Sequence, residues 1–225
     1  MKPHVLFTAV SLAAALLGGA GCNGDAPETD TPLPVLENAG QLTLAGGRNR
    51  IVCRWTGMPQ EVASIRLRLG DDEAPHDIPA GRIDGEKELT GIEEGSWPAE
   101  IRYVTDDGGI FAGPAPTVTV YGERYEASLK NRTVTGAYFA GASATVTLGN
   151  SCPEGLVGQE FTYVSAVGEP RTRYCEAQHD GSKQTVAFDD AGGDISYRCV
   201  YRPSEITGDL FYSPAATIAN YARVD

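Results

Sequence analysis

The 225-residue chain carries 18 Lys and Arg against 30 Asp and Glu, a formal net charge of −12. That balance excludes a nucleic-acid partner, which needs clustered cations to displace phosphate counterions. Without its leader, the length suits one large or two small domains.

Residues 1–21 have the layout of a secretory signal peptide. Lys2 precedes an apolar run from Val5 to Leu17, and small residues end at Gly21. The run is shorter than the roughly 20 residues that span a bilayer. Gly19-Ala20-Gly21-Cys22 resembles a bacterial lipobox, with Gly19 where leucine is usual. The resemblance implies acylation of Cys22 and attachment to outer-membrane lipid, since each buried methylene contributes roughly 0.8 kcal/mol. Loss of the leader removes Lys2 alone, so 18 basic residues become 17 and the net charge becomes −13.

Residues 22–36 read as a tether from the lipidated cysteine. NGDAPETDTPLPV is acidic, Pro-rich and without aromatics, so it cannot bury enough apolar area to order itself. Asp25, Glu28 and Asp30 resemble the surface-export signal of Bacteroidota lipoproteins, which implies display on the outer face of the outer membrane; a periplasm-facing anchor is the alternative.

Beyond the tether no helical apolar period is sustained, and short alternating runs recur between Gly, Asp, Asn and Pro clusters. That pattern predicts an all-β fold of sandwiches. Residues 37–122 supply the first set. In NRIVCRWTG, Ile51, Cys53 and Trp55 share the inward face; in ASIRLRLGDD, Ile65, Leu67 and Leu69 do. EKELTGI is a short strand, SWPAEIRYVTDDGG turns Trp97, Ala99, Ile101 and Tyr103 inward, and APTVTVYG closes the set. Charged outer faces beside apolar inner ones mean two sheets packed face to face. Trp55 and the run LTGIEEGSWPAEIRYVTDDG resemble a fibronectin-type-III domain, which implies that Ile92 and Tyr103 pack near the tryptophan.

The alternation breaks at VYGERYEASLKNR, Val120 to Arg132, and residues 123–132 read as a connector with a helical turn around Ala127 and Leu129. A flexible linker has no use for Tyr125 and Leu129, so a packed junction is expected. Residues 133–218 then repeat the cycle in seven short strands, with Leu148 in the place of Trp55 and a leaner core expected. Residues 219–225 form a C-terminal tail. The fold class is thus all-β, two tandem immunoglobulin- or fibronectin-type-III-like sandwiches after a lipoprotein leader and short tether.

Two stretches carry a second resemblance. Tyr121, Gly122, Tyr125, Ser128, Leu129, Asn131 and Arg132 form one; Tyr197, Arg198, Tyr201, Pro203, Asp209, Phe211 and Tyr212 form the other. Together they resemble a family of Bacteroidota surface lipoproteins built around a domain of unknown function, over nearly all of Leu36 to Ile218. The resemblance implies surface location and the company of carbohydrate-uptake proteins, with no established reaction.

Cys53 shares the inward face with Trp55 and reads as a buried thiol. In a fibronectin-like order Cys152, Cys175 and Cys199 lie toward one pole, which leaves three pairings open. Cys152 with Cys175 is favoured, because Cys199 falls on an inward face. No CxxC occurs and His179 is the sole nearby histidine, so neither a metal nor a cofactor is expected. His76 and His179 lie in polar, Asp-rich turns, and no nucleophile elbow, phosphate loop or HExxH is present, so no catalytic residue is assigned and the chain reads as no enzyme. The acidic runs TDDGG and DDAGGD sit where the strand pattern demands turns, for which Asp and Gly are suited by backbone conformation alone.

Aromatic side chains are the remaining route to a ligand. Tyr125, Tyr138, Tyr174 and Tyr212 are the candidates for ligand or domain contacts. The expected function is a non-enzymatic surface lipoprotein, a binding or accessory module in glycan or nutrient acquisition whose partner is a glycan or another surface protein. A structural spacer or assembly and adhesion subunit is the alternative.

Overall fold

The computed structural model describes residues 32–220 apart from Glu73; the signal peptide, Cys22, most of the tether and residues 221–225 lie outside the described residues. The first sandwich contains β1 (Gln41–Gly47), β2 (Arg50–Thr56), β3 (Val62–Leu69), β4 (His76–Pro79), β5 (Gly85–Thr90), β6 (Gly95–Thr105), β7 (Ile110–Ala112) and β8 (Thr117–Val120). One sheet has the order β1-β2-β5; the other runs β4-β3-β6-β7, with β8 also paired to β6. All of these pairs are antiparallel. β1, β4 and β7 were not among the expected strands. β4 and β7 are too short to show a period, and Val35 at the end of the tether already bridges to Ala112.

Alternation places Ile51, Cys53 and Trp55 of β2 against Ile65, Leu67, Leu69, Ile101 and Tyr103 in one core, with Ile92 packed against it. Ile92, Tyr103 and the tryptophan thus belong to the same core. Trp55 is only 4% exposed, and its indole N–H donates to the Arg82 carbonyl at 3.1 Å. Its ring crosses the start of β5, where an added Cβ at Gly85 would fall 2.2 Å from Cζ2.

The connector is a six-residue helix, α1 (Glu123–Ser128). The second sandwich follows with β9 (Val134–Ala140), β10 (Ser143–Leu148), β11 (Leu156–Ser165), β12 (Pro170–Glu176), β13 (Gln184–Phe188), β14 (Ala191–Tyr201), β15 (Phe211–Tyr212) and β16 (Ala216–Ile218). Its sheets run β13-β10-β9 and β12-β11-β14-β15, with β16 also on β14. Strand for strand, this is the order of the first sandwich. The protein is nearly all-β, two fibronectin-type-III-like sandwiches.

The second main core is the smaller of the two, as expected, and has no tryptophan; Leu148 is fully buried, and Phe161, Phe188, Tyr163 and Tyr197 supply its aromatic volume, with ring centroids 5.2 to 5.9 Å apart. One expectation needs correction. The last expected strand is two, because it breaks at Ser213-Pro214. Proline has no N–H to give to a ladder, and side chains from the connector take the place of the missing rungs.

Candidate functional site

The two family stretches meet at the boundary between the sandwiches. Gly122 caps α1 but has no side chain to do so. Glu94, from the loop entering β6, supplies the carboxylate instead, accepting from the backbone N–H groups of Arg124 and Tyr125. An anion there also favours the positive end of the helix. A Cβ at Gly122 would sit 2.8 Å from that carboxylate, which explains the glycine.

One turn on, α1 places Tyr125 against Tyr121 and Phe211, with centroids 4.6 and 5.2 Å away. Leu129, Cys152 and Ala177 close a small separate core with Leu156, Cys199 and Tyr201. The expected packed junction is therefore built from both sandwiches and the connector.

Charged groups clasp its rim. Both Glu126 oxygens accept from Arg48, at 2.8 and 2.9 Å, and one also accepts from Tyr212 N–H at 3.1 Å. Arg48 lies 4.5 Å from the centre of the Phe211 ring and holds the Glu126 carboxyl below its usual range. Asp209 accepts from Arg50 at 2.8 and 3.1 Å and from Arg48 N–H at 2.7 Å. The β1–β2 turn is thus tied to the segment entering β15.

Asn131 and Arg132 anchor the second sandwich from below. Asn131 Oδ1 accepts from Cys199 N–H at 3.0 Å and Ser213 Oγ at 2.7 Å, while its amide donates to the Pro214 carbonyl at 2.7 Å. This is the side chain that fills the break between β15 and β16. Arg132 is 2% exposed; its guanidinium donates to the Gly149 carbonyl and to Gln184 Oε1, and its carbonyl accepts from Tyr197 OH at 2.9 Å.

The four candidate tyrosines separate by place. Tyr125 is a junction residue. Tyr212 points outward from β15 under Arg198, whose guanidinium lies 4.1 Å from its ring centre. Tyr138 is 70% exposed on the edge strand β9 and lines a groove of about 670 Å³ with Phe139 and Ile218. Tyr174 is 51% exposed on the outer face of β12. Its ring lies across β11, where an added Cβ at Gly158 would meet the hydroxyl at 2.2 Å, and that hydroxyl donates to the Val157 carbonyl at 3.2 Å. Pairing registers Tyr174 with Glu160, Glu160 with Arg198, Gly158 with Val200 and Val200 with Tyr212. The structure thus brings Tyr174 and Tyr212 onto one sheet face, around the Glu160–Arg198 ion pair at 2.6 Å. Sequence reading singled out the tyrosines but missed Gly158, whose role is to leave room for a ring from the next strand. It also missed Arg48, Arg50 and Glu94, whose partners lie far along the chain.

The expected Cys152–Cys175 disulfide is not formed; Cys53, Cys152, Cys175 and Cys199 are free thiols. Cys175 turns into the main core of the second sandwich, whereas Cys152 packs in the junction core and donates to the Gln178 carbonyl at 2.9 Å. Cys175 and Cys199 flank Gln159 in one row on three adjacent strands. Two strand spacings, about 10 Å, exceed the reach of a disulfide. Burial pushes the Cys199 thiol up, and that of Cys53 to about 12. The TDDGG run is a satisfied turn in which Asp107 Oδ1 accepts from Thr105 Oγ1 and Gly109 N–H.

A family model described as a domain of unknown function matches residues 37–211. No curated protein matches the chain. Solved structures similar to it include the FN1–FN3 domains of chicken CNTN1, at 8% identity over 83% of this chain and 67% of that one, TM-score 0.41. The fibronectin(III)-like modules of Clostridium thermocellum CbhA share 12% identity over 79% and 91%, TM-score 0.38. The human OSCAR ligand-binding domain shares 16% over 84% and 100%, TM-score 0.40.

Proposed function

The chain belongs to that family, DUF4998, and from its leader and tether and the exposed Tyr174 face we propose that it is a non-enzymatic, surface-exposed outer-membrane lipoprotein that binds a glycan. The leader, Cys22 and the acidic tether support export and anchoring through acyl chains. In this reading the tandem sandwiches hold a binding face away from the membrane as an accessory module in nutrient acquisition.

The observation that carries the binding reading is Tyr174. A tyrosine half exposed and flat on the sheet, with its hydroxyl already satisfied, offers a ring on which the apolar face of a sugar can stack. The neighbouring Glu160 and Arg198 accept and donate hydrogen bonds, charge-assisted, to hydroxyls. Electrophoresis of the mature chain through gels containing neutral polysaccharides tests this. Retardation by at least one polysaccharide, lost in Tyr174→Ala, is expected; equal mobility in every gel sinks the glycan reading.

The clasped junction favours a second reading, a rigid spacer that sets a distance between the membrane and another surface protein. Retention of partners by Tyr174→Ala, and their loss when the junction is loosened, would favour the spacer.

A further inference from the structure

The first sandwich has a cavity of its own at the pole where the β3–β4 turn meets the loop entering β6. Leu69, Asp72, His76, Ile92, Glu93 and Trp97 line a volume of about 450 Å³, within the range of small-molecule sites. Leu69 is buried and Ile92 packs on the core, so the base is apolar. The rim is polar: His76 Nε2 lies 3.9 Å from Asp72 Oδ2, with both side chains partly open to solvent. Trp97, in the inward row of β6, forms one wall.

Its indole is set in place by the protein itself. The ring N–H donates to the Glu93 carbonyl at 2.9 Å. Glycines clear the space beside the ring: an added Cβ would approach it to 3.2 Å at Gly70 and 3.6 Å at Gly95. A fixed ring loses little freedom when something stacks on it, which favours binding.

We propose that this cavity is a second carbohydrate subsite, taking one neutral pyranose unit against Trp97. It rests on the reading of the chain as a glycan-binding module and extends that reading to the first sandwich. The C–H face of a pyranose matches the indole, while Asp72 and Glu93 accept from hydroxyls and His76 donates or accepts. Among the described residues no Lys or Arg lines the cavity, so a phosphate or uronate finds no counter-charge there. A wholly apolar ligand would desolvate carboxylates without repaying them. A quaternary ammonium calls for an aromatic cage, and one indole with a solvated rim is not one.

The test follows the two indole N–H resonances of the ¹⁵N-labelled mature chain, which contains two tryptophans. Trp55, buried with its N–H on Arg82, is the internal reference. Titration with neutral gluco-, manno-, xylo- and galacto-oligosaccharides is expected to shift the Trp97 signal saturably and leave Trp55 still. In the Tyr174→Ala background, Trp97→Ala should weaken saccharide binding, read by titration calorimetry, at least tenfold. His76→Ala should weaken it several-fold with the Trp55 resonance in its native position, which guards against a merely unfolded variant. Tyr174→Ala should leave the Trp97 response intact. If gel retardation depends on Tyr174 but no saccharide moves Trp97, this inference falls and the binding reading stands. If neither responds, both fall. A Trp97 shift produced by tetramethylammonium and by no saccharide also overturns the subsite.

Discussion

Gly85 illustrates how single positions set this fold. Its missing side chain is the space that the Trp55 ring occupies, 2.2 Å from where a Cβ would be. Gly85→Ala must displace the largest side chain of that core, so a loss of about 1–3 kcal/mol is expected from chemical denaturation. Asn131 acts differently, by satisfying three groups across the break in the last strand. Asn131→Ala should cost about 1–3 kcal/mol: the Pro214 carbonyl loses its partner and the Cys199 N–H keeps only Ser213 Oγ, so hydrogen exchange should quicken around Cys199 and Ser213 and not in β2. The thiols make a third test. Burial holds Cys53 at about 12 and raises Cys199, and the thiolate is the reactive form. A thiol reagent on the native chain should therefore modify Cys152 and Cys175 first, with Cys53 and Cys199 reacting only on unfolding. The burial of Cys53 and Cys199 was legible from strand parity. The absence of a bridge was not, because parity says which face a cysteine occupies and nothing about which core lies under that face.

At the scale of elements, α1 is too short to be stable by itself and is held from outside, by Glu94 at its start and Arg48 beside Glu126. The Glu126 carboxyl is held below its usual range chiefly by its hydrogen bonds to Arg48. A depressed carboxylate contributes stability above its unfolded pKa of about 4.5 and loses it as the pH falls through the folded value. Acid titration of the wild type should therefore weaken the junction below about pH 4.5, whereas Glu126→Gln should flatten that part of the profile. A profile unchanged by the substitution would show that the pair contributes nothing measurable, as many exposed ion pairs do. The sequence placed this element as a helical turn but set it late, around Ala127 and Leu129. The caps that decide its start come from a loop some 30 residues earlier.

For the whole molecule, the junction decides whether two sandwiches act as one body. Tyr125 and Leu129 contribute to a core shared by both units and the connector. Replacing both with Gly should release the clasp without unfolding either sandwich: small-angle scattering should show a larger radius of gyration and a broader interdomain distance distribution, while the far-ultraviolet dichroism of the strands persists. An unchanged scattering profile would make the connector a tether only.

What the sequence determined by itself is whatever depends on neighbours in the chain. Period-2 alternation set the strands and the inward rows of Ile51, Cys53 and Trp55 or Ile65, Leu67 and Leu69. The break at Val120 to Arg132 marked the junction and its aromatic and apolar anchors. The tertiary structure alone decided what depends on meetings at long range. Those are the clasp of Arg48 and Arg50 on Glu126 and Asp209, the common face of Tyr174 and Tyr212 across Gly158, and the cavity around Trp97. In each case the physical reason is the same: strand pairing brings together side chains that lie far apart along the chain, and no local period encodes which of them will meet.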